Sequence, residues 1–282
     1  MKIVNKHPVP EIVSRKVSHK TMALLGLAWV GLFFIGPLVL LALESLNLGG
    51  GGGIFESYIR SLGEPYRGAF IRSFIYAGAT TIVALLLSYI IAYYLVYITK
   101  RPALMMALVL MPLWVAYIIR YFGIMTFFAP IGPLSLITDD VPRVLYSSTG
   151  VVIGLANVFI PFAVLPIYNS MNAIDTEYID ASRMLGAGYF RTIANVVIPL
   201  SLPGVVAAGL IVFILSAGSY LAPSLLGGPQ QTMIANQIAV AQLEAGNSQL
   251  AAALSTIYTV LLIVGLLLFN SVLDLQEVFA KI

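Results

Sequence analysis

The chain reads as an all-α integral membrane protein of six transmembrane helices, and three observations carry that reading. Of its 282 residues, 60% are hydrophobic and only 10% charged, with a mean hydropathy of +0.96. A soluble domain carries roughly 25% charged residues, so this chain cannot clothe a core of its size in water, and the bilayer must be its solvent. Six stretches, roughly 21–46, 70–98, 103–128, 147–172, 196–220 and 249–274, each supply the ~20 apolar residues needed to cross the hydrocarbon. The loops between them divide Lys and Arg unevenly, which sets orientation. With the amino terminus inside, ten basic residues fall on the cytoplasmic side and five (Arg60, Arg67, Arg72, Arg120, Arg143) outside. Both termini are therefore expected in the cytoplasm.

Taken in order, the chain opens with a basic tail, 1–20, holding Lys2, Lys6, Arg15, Lys16 and Lys20. The apolar stretch behind it is too long for a cleaved signal and reads as an uncleaved first helix. A run of five glycines at 49–53 follows; no Lys-Ser or Lys-Thr comes after it, so it is a linker and not a phosphate loop. The later stretches carry Pro112, Pro161, Pro166, Pro199 and Pro203, and the first carries Gly36-Pro37. Each proline removes a helical hydrogen bond; together they predict bent helices around a pathway or an ordinary packed bundle, with neighbours satisfying the freed carbonyls. A six-helix membrane domain thus covers 21–275, and 276–282 forms a short cytoplasmic tail.

Chemistry is mostly absent. There is no cysteine, and the two histidines, His7 and His19, lie in the tail without carboxylates beside them, short of the three or four converging ligands a metal needs. Asp139-Asp140 are adjacent on a loop, whereas catalytic carboxylates must oppose each other across a substrate. No nucleophile elbow or zinc-protease helix occurs. A net charge of +3 spread over loops argues against nucleic acid. Arg120 stands out, because a charge within a span is a functional candidate by default. As a straight helix, 19 residues from Arg101 bring it about 28 Å to the far side of the hydrocarbon. There it either snorkels to the interface or serves an outer mouth beside Trp114, Tyr117 and Tyr121. Glu44, ending the first stretch, is read the same way. Asn157, Ser216, Ser219 and Tyr220 are the polar candidates for a path lining, and equally for helix–helix hydrogen bonds.

The informative segment is the cytoplasmic loop 173–199. Asp175 or Thr176 caps a short helix, and Glu177 and Asp180 suit its positive end. Tyr178, Ala181, Ser182 and Leu185 fall on one face at helical spacing, and Gly186 and Gly188 allow the turn that ends it. A second helical run leads through Ile193 and Val197 to Pro199. A short exposed helix with an apolar stripe is a plug for a groove.

The residues Asp180-Ala181-Ser182, Gly186 and Val196-Val197-Ile198-Pro199 keep the spacing of the EAA loop, which runs Glu-Ala-Ala, three residues, Gly, nine residues, Ile-x-Leu-Pro. The chain thereby resembles the permeases of binding-protein-dependent ABC importers of the type I fold. Segments 68–74, 112–120, 161–166 and 220–229 are similar to the spermidine/putrescine-type branch, and the last looks like the first of its two permeases. The resemblance implies a heterodimer with a second, homologous permease, two ATPase subunits that bind ATP and Mg, a periplasmic binding protein that delivers a small solute, and a bacterial inner-membrane location. No cofactor is implied for this chain itself. The branch includes polyamine importers, and also importers of ferric iron and phosphonates. The resemblance also implies that Glu177, Asp180, Ala181, Ser182, Leu185, Gly186 and Ala187 engage the ATPase. A secondary transporter or channel subunit is the alternative; ion coupling there asks for ionisable residues at mid-membrane, and the span interiors offer almost none.

Overall fold

Small residues recur every three or four positions along the second apolar stretch: Ala69, Ser73, Ala77, Thr80, Ala84, Ser88 and Ala92, all buried. Such a stripe lets helix backbones approach closely where lipid supplies no hydrophobic drive, and it builds the centre of the fold. In the computed structural model, which describes residues 19–46, 55–138 and 142–273, this stretch is α4, Tyr66–Tyr97. It packs against Ser148–Asn172 and Ile198–Ala217. In chain order the helices are α1 (His19–Val30) and α2 (Gly36–Ser45), α3 (Glu56–Ser61), α4, α5 (Pro102–Leu110), α6 (Tyr117–Phe127), α7 (Ser148–Asn172), α8 (Thr176–Met184), α9 (Tyr189–Thr192), α10 (Ile198–Ala217), α11 (Leu221–Leu226), α12 (Ile234–Ala239) and α13 (Ser248–Leu273).

Helices α4 and α7 run parallel, locked by Tyr76 OH to Ser148 Oγ at 2.8 Å, Ser88 Oγ donating to Ile160 O at 3.1 Å and Tyr97 OH donating to Met171 O at 3.4 Å. Helix α10 runs against both, with Tyr89 OH 3.2 Å from Ser201 Oγ and Ser170 Oγ donating to Ser201 O. Helix α10 closes on α7 at Gly204, where a Cβ would strike the Cβ of Ser170 and lie 2.5 Å from Pro166 O. Helix α13 joins through Tyr258, whose hydroxyl donates to Ala217 O at 2.7 Å, and α2 packs along α13.

Two prolines are absorbed by π-helical turns. Gly31–Ile35 joins α1 to α2, with the Gly36 amide reaching back to Gly31 O, directly ahead of Pro37. Ile193–Val197 joins α9 to α10, with the Ile198 amide on Ile193 O, directly ahead of Pro199. The wider i→i+5 register takes up the misfit of a residue that lacks an N–H and crowds the preceding turn.

Among the described residues, five helices are long and apolar enough to cross a membrane: Met22–Ser45, Tyr66–Tyr97, Ser148–Asn172, Tyr189–Ala217 and Ser248–Leu267. The expected third span, 103–128, is different. It is a pair, Pro102–Trp114 and Tyr117–Phe127, bent by 93°. Pro112 tightens the end of α5 into a 3₁₀ turn, and Val115 and Ala116 are extended, with ψ of 125° and 133°. The expected separate start of span five at 196 is also corrected: α9, the π turn and α10 form one helix from Tyr189. Lys2, Lys6, Arg15 and Lys16 of the basic tail, His7, the glycine run 49–53, Asp139-Asp140 and 276–282 lie outside the described residues.

Candidate functional site

The first candidate region is the α8–α9 loop. Asp175 caps α8 through its side chain, accepting from the Glu177 amide at 3.3 Å. Glu177 lies in the first turn and Arg183 in the last, both matching the helix dipole. Arg183 stands 3.8 Å from Asp180 as an exposed pair one turn away, of small energetic weight. Ile179 is the buried anchor of α8, and it helps line a cavity of about 170 Å³ with Tyr93, Tyr97, Tyr189 and Val197. The helix ends at Gly186, whose φ of +82° needs glycine, although a Cβ there would meet nothing within 4 Å. The turn is closed by the Gly186 amide on Arg183 O and the Ala187 amide on Ser182 O.

The stripe expected on α8 divides. Tyr178, Ala181 and Leu185 are exposed, Leu185 at 88%, with Met184 beside them at 89%. Ser182 instead turns inward, its hydroxyl 3.1 Å from Thr192 Oγ1, and ties α8 to the base of the fifth span. It is a brace between the two helices at the inner border of the apolar face. Phe190, 83% exposed, adds to that apolar surface from α9.

The second region lies within the bundle. Tyr117, Tyr121, Ser219 and Tyr220 come together around one cavity of about 380 Å³, closed by Val158, Phe159 and Leu215. Arg120 and Asn157 line a neighbouring cavity of about 320 Å³ with Pro112, Gly123 and Phe127. Two expected lining residues do not join either. Trp114 points away and is 90% exposed, because the bend at 115–116 separates it from α6. Ser216 is fully buried on α10, its hydroxyl without a partner. Tyr121 is almost fully buried against Gly154 and Leu226, so it supports the cavity wall more than it faces solvent.

Arg120 is the largest departure from the straight-helix expectation. The bend removes the premise that it lies about 28 Å from Arg101 along one axis. Its Nη1 donates to Asn157 O at 3.4 Å, and Asn157 is the residue whose carbonyl loses its helical donor to Pro161 four positions on. Asn157 lies nine residues into α7, about 14 Å along a helix of about 37 Å. Arg120 therefore sits at the depth of the middle third of span four. Glu44 lies against the start of α13, in a cavity with Pro37, Gln242 and Ser248.

Sequence reasoning missed a third group that closes the end of the bundle away from α8. Asn236 is buried, accepts from the Met233 amide at 2.9 Å and donates to Tyr220 O and Ser224 Oγ. Arg72 Nε donates to Thr232 O at 2.9 Å, and the Ile234 amide donates to Ser73 Oγ. These bonds pin the α11–α12 segment into the bundle. No short motif marks them: the bonds of Arg72 and Ser73 reach across about 160 positions, and Asn236 joins them only through the fold.

These features match a known group. The family described as binding-protein-dependent transport system inner membrane component matches residues 99–278, well over half of the chain, including α8, the turn at Gly186 and the fifth span. The chain belongs to that family. Among curated relatives, the spermidine/putrescine transport system permease protein PotB of Haemophilus influenzae is 29% identical, covering 92% of this chain and 94% of its own length. The protein of the same name from Escherichia coli is 31% identical over 76% of this chain and 79% of its own. A solved bacterial ABC transporter that imports the acidic polysaccharide alginate contains a chain with the same fold, at a TM-score of 0.75 with 18% identity, covering 90% of this chain and 93% of that one. This permease is thus a multi-pass inner-membrane subunit of an ABC importer fed by a binding protein, and a non-catalytic one. Among the described residues no group of three or more His, Asp or Glu could hold a metal.

Proposed function

We propose that this permease forms one half of a heterodimeric channel for a polyamine such as spermidine or putrescine, paired with a second, homologous permease. A periplasmic binding protein loads the solute, and two ATPase subunits, holding ATP and Mg, drive the cycle. The names of the PotB relatives support the solute class. The α8 end of the bundle is the cytoplasmic side, with both termini there. The membrane domain spans 21–275, with 173–199 as its coupling segment.

The observation that carries the coupling role is the exposed stripe of Tyr178, Ala181, Met184 and Leu185 on a helix anchored by Ile179 and Ser182. An apolar face so displayed fits a groove on the ATPase, with Glu177 and Asp180 at its rim and Gly186-Ala187 turning the chain beneath it. The cavity of Tyr117, Tyr121, Ser219 and Tyr220, with Arg120 and Asn157 beside it, lies on the solute path. Aromatic faces there suit a cation.

The test is Gly186→Asp in the assembled transporter. Membrane insertion and recovery of the second permease are expected to match the unaltered protein, while solute uptake and retention of the ATPase collapse, because the added carboxylate carries a charge into the docked groove. Normal uptake by this variant, or failure only through loss of insertion, defeats the coupling role.

A further inference from the structure

The Arg120 guanidinium is a charge at mid-span depth with no carboxylate partner among the described residues. Its Nη1 reaches only a backbone carbonyl, and its Nε is buried without any partner. The one ion pair among the described residues, Arg183–Asp180, lies on α8 at the far end of α7 from Ser148. Beside Arg120 the surface is open: Gly123 and Asn157 line the same cavity and are exposed, and Tyr117, one turn earlier on α6, is exposed as well. An arginine and an asparagine amide at this depth cannot face hydrocarbon, since intramembrane charges lie toward the bundle interior, a water-filled cavity or a charged partner. Span three is broken where this face forms, and the break turns α6 across the bundle so that Arg120 meets the carbonyl freed by Pro161. The cation is held in place from behind and left unmet in front.

We propose that Arg120 is completed by a carboxylate of the second permease, forming an intersubunit ion pair within the membrane. The inference rests on the heterodimer reading above. Charge complementarity chooses the occupant. A cationic solute cannot neutralise a guanidinium and is repelled by a bare one beside its path, whereas a carboxylate from the facing subunit removes the repulsion and fixes the register of the two halves. Removing one member of such a pair leaves the other buried and unpaired, which is strongly unfavourable. The pair therefore specifies partner choice: a permease without the carboxylate is rejected as well as one that fits poorly.

The experiment uses the complete transporter in membranes, with this chain tagged. R120Q is expected to lower recovery of the second permease by at least about tenfold while this chain remains inserted. R120K is expected to retain much of the association, and a membrane-permeant carbodiimide should then link the introduced lysine to one acidic residue of the second permease, located by mass spectrometry. Exchanging the two charges, R120E with a lysine at the linked position, is expected to restore recovery lost in either single variant. A link to Asp139 or Asp140 of this chain overturns the proposal, as does the absence of a link while both permeases copurify. Undiminished recovery with R120Q overturns it too. If instead the unaltered chain recovers no second permease, the heterodimer reading itself falls, and the ion pair with it.

Discussion

Replacing Gly186 by asparagine, alanine and valine separates two reasons for a glycine at the turn that ends α8. A Cβ built there meets nothing within 4 Å, so within this chain the whole penalty is the φ of +82°. For alanine that penalty is about 1 kcal/mol. Asparagine enters the left-handed region several times more readily, and a β-branched residue least of all. A loss of 1 kcal/mol reduces the population of the native turn about fivefold. Retention of the ATPase on the purified permease pair is thus expected to fall in the order Gly, Asn, Ala, Val, with alanine near a fifth of the glycine value under limiting ATPase. Uptake in the same membranes should follow that order. If the ATPase groove crowds the position instead, side-chain size decides and asparagine falls below alanine. That order, or an alanine variant indistinguishable from glycine, refutes the backbone argument.

Other outcomes follow from the packing. Gly204→Leu forces a side chain into Ser170 and the Pro166 carbonyl, and overpacking of this kind costs about 1–3 kcal/mol; the detergent-solubilised subunit should aggregate at a lower temperature, and Ser170→Gly should recover part of the loss for Gly204→Ala. Ser182→Ala or Thr192→Val breaks the hydroxyl pair that braces α8 on α9, worth about 1 kcal/mol, so each should cut uptake severalfold while ATPase binding persists, and the double variant should be no worse than the stronger single one. The native chain has no cysteine, so a cysteine placed at Ala187 should react with impermeant maleimide only after the membrane is opened from the cytoplasmic side; labelling from outside reverses the topology.

Length and apolarity made five spans legible, because both are local sums over about 20 residues. Helix α8 and the turn that ends it were legible for a different reason: Asp175, Gly186 and Pro199 act through backbone geometry, and geometry depends on spacing. The break in span three was not. Residues 103–128 are apolar on both sides of Val115, and Pro112 alone does not distinguish a shallow kink from a 93° turn. That decision rests on Tyr121, which packs against Gly154 and Leu226 from distant parts of the chain. The position of Arg120 beside Asn157 follows from the same bend. Trp114 was grouped with Tyr117 because a continuous helix would put them one turn apart. Ser182 was assigned outward because its partner, Thr192, lies beyond a glycine turn whose direction is not written in the spacing.

The unbroken helix Tyr189–Ala217 has a mechanical consequence. Its 29 residues make a beam about 43 Å long, with α8 strapped beside one end and Gly218, Ser219 and Tyr220 at the other. Its closest bearing on the rest of the molecule, Gly204 against Pro166 and Ser170, falls at its sixteenth residue, almost at the midpoint. A beam held at its centre is a see-saw with equal arms: each degree of tilt carries its two ends about 0.4 Å in opposite directions. Were the helix to tilt as one body about Gly204, drawing α8 toward the molecular axis would swing Ser219 and Tyr220 away from it, against the tie of Ala217 O to Tyr258. Compliance in this see-saw resides at the π turn of Ile193–Val197, between the load and the fulcrum, and stiffening that turn should change how much of the stroke arrives.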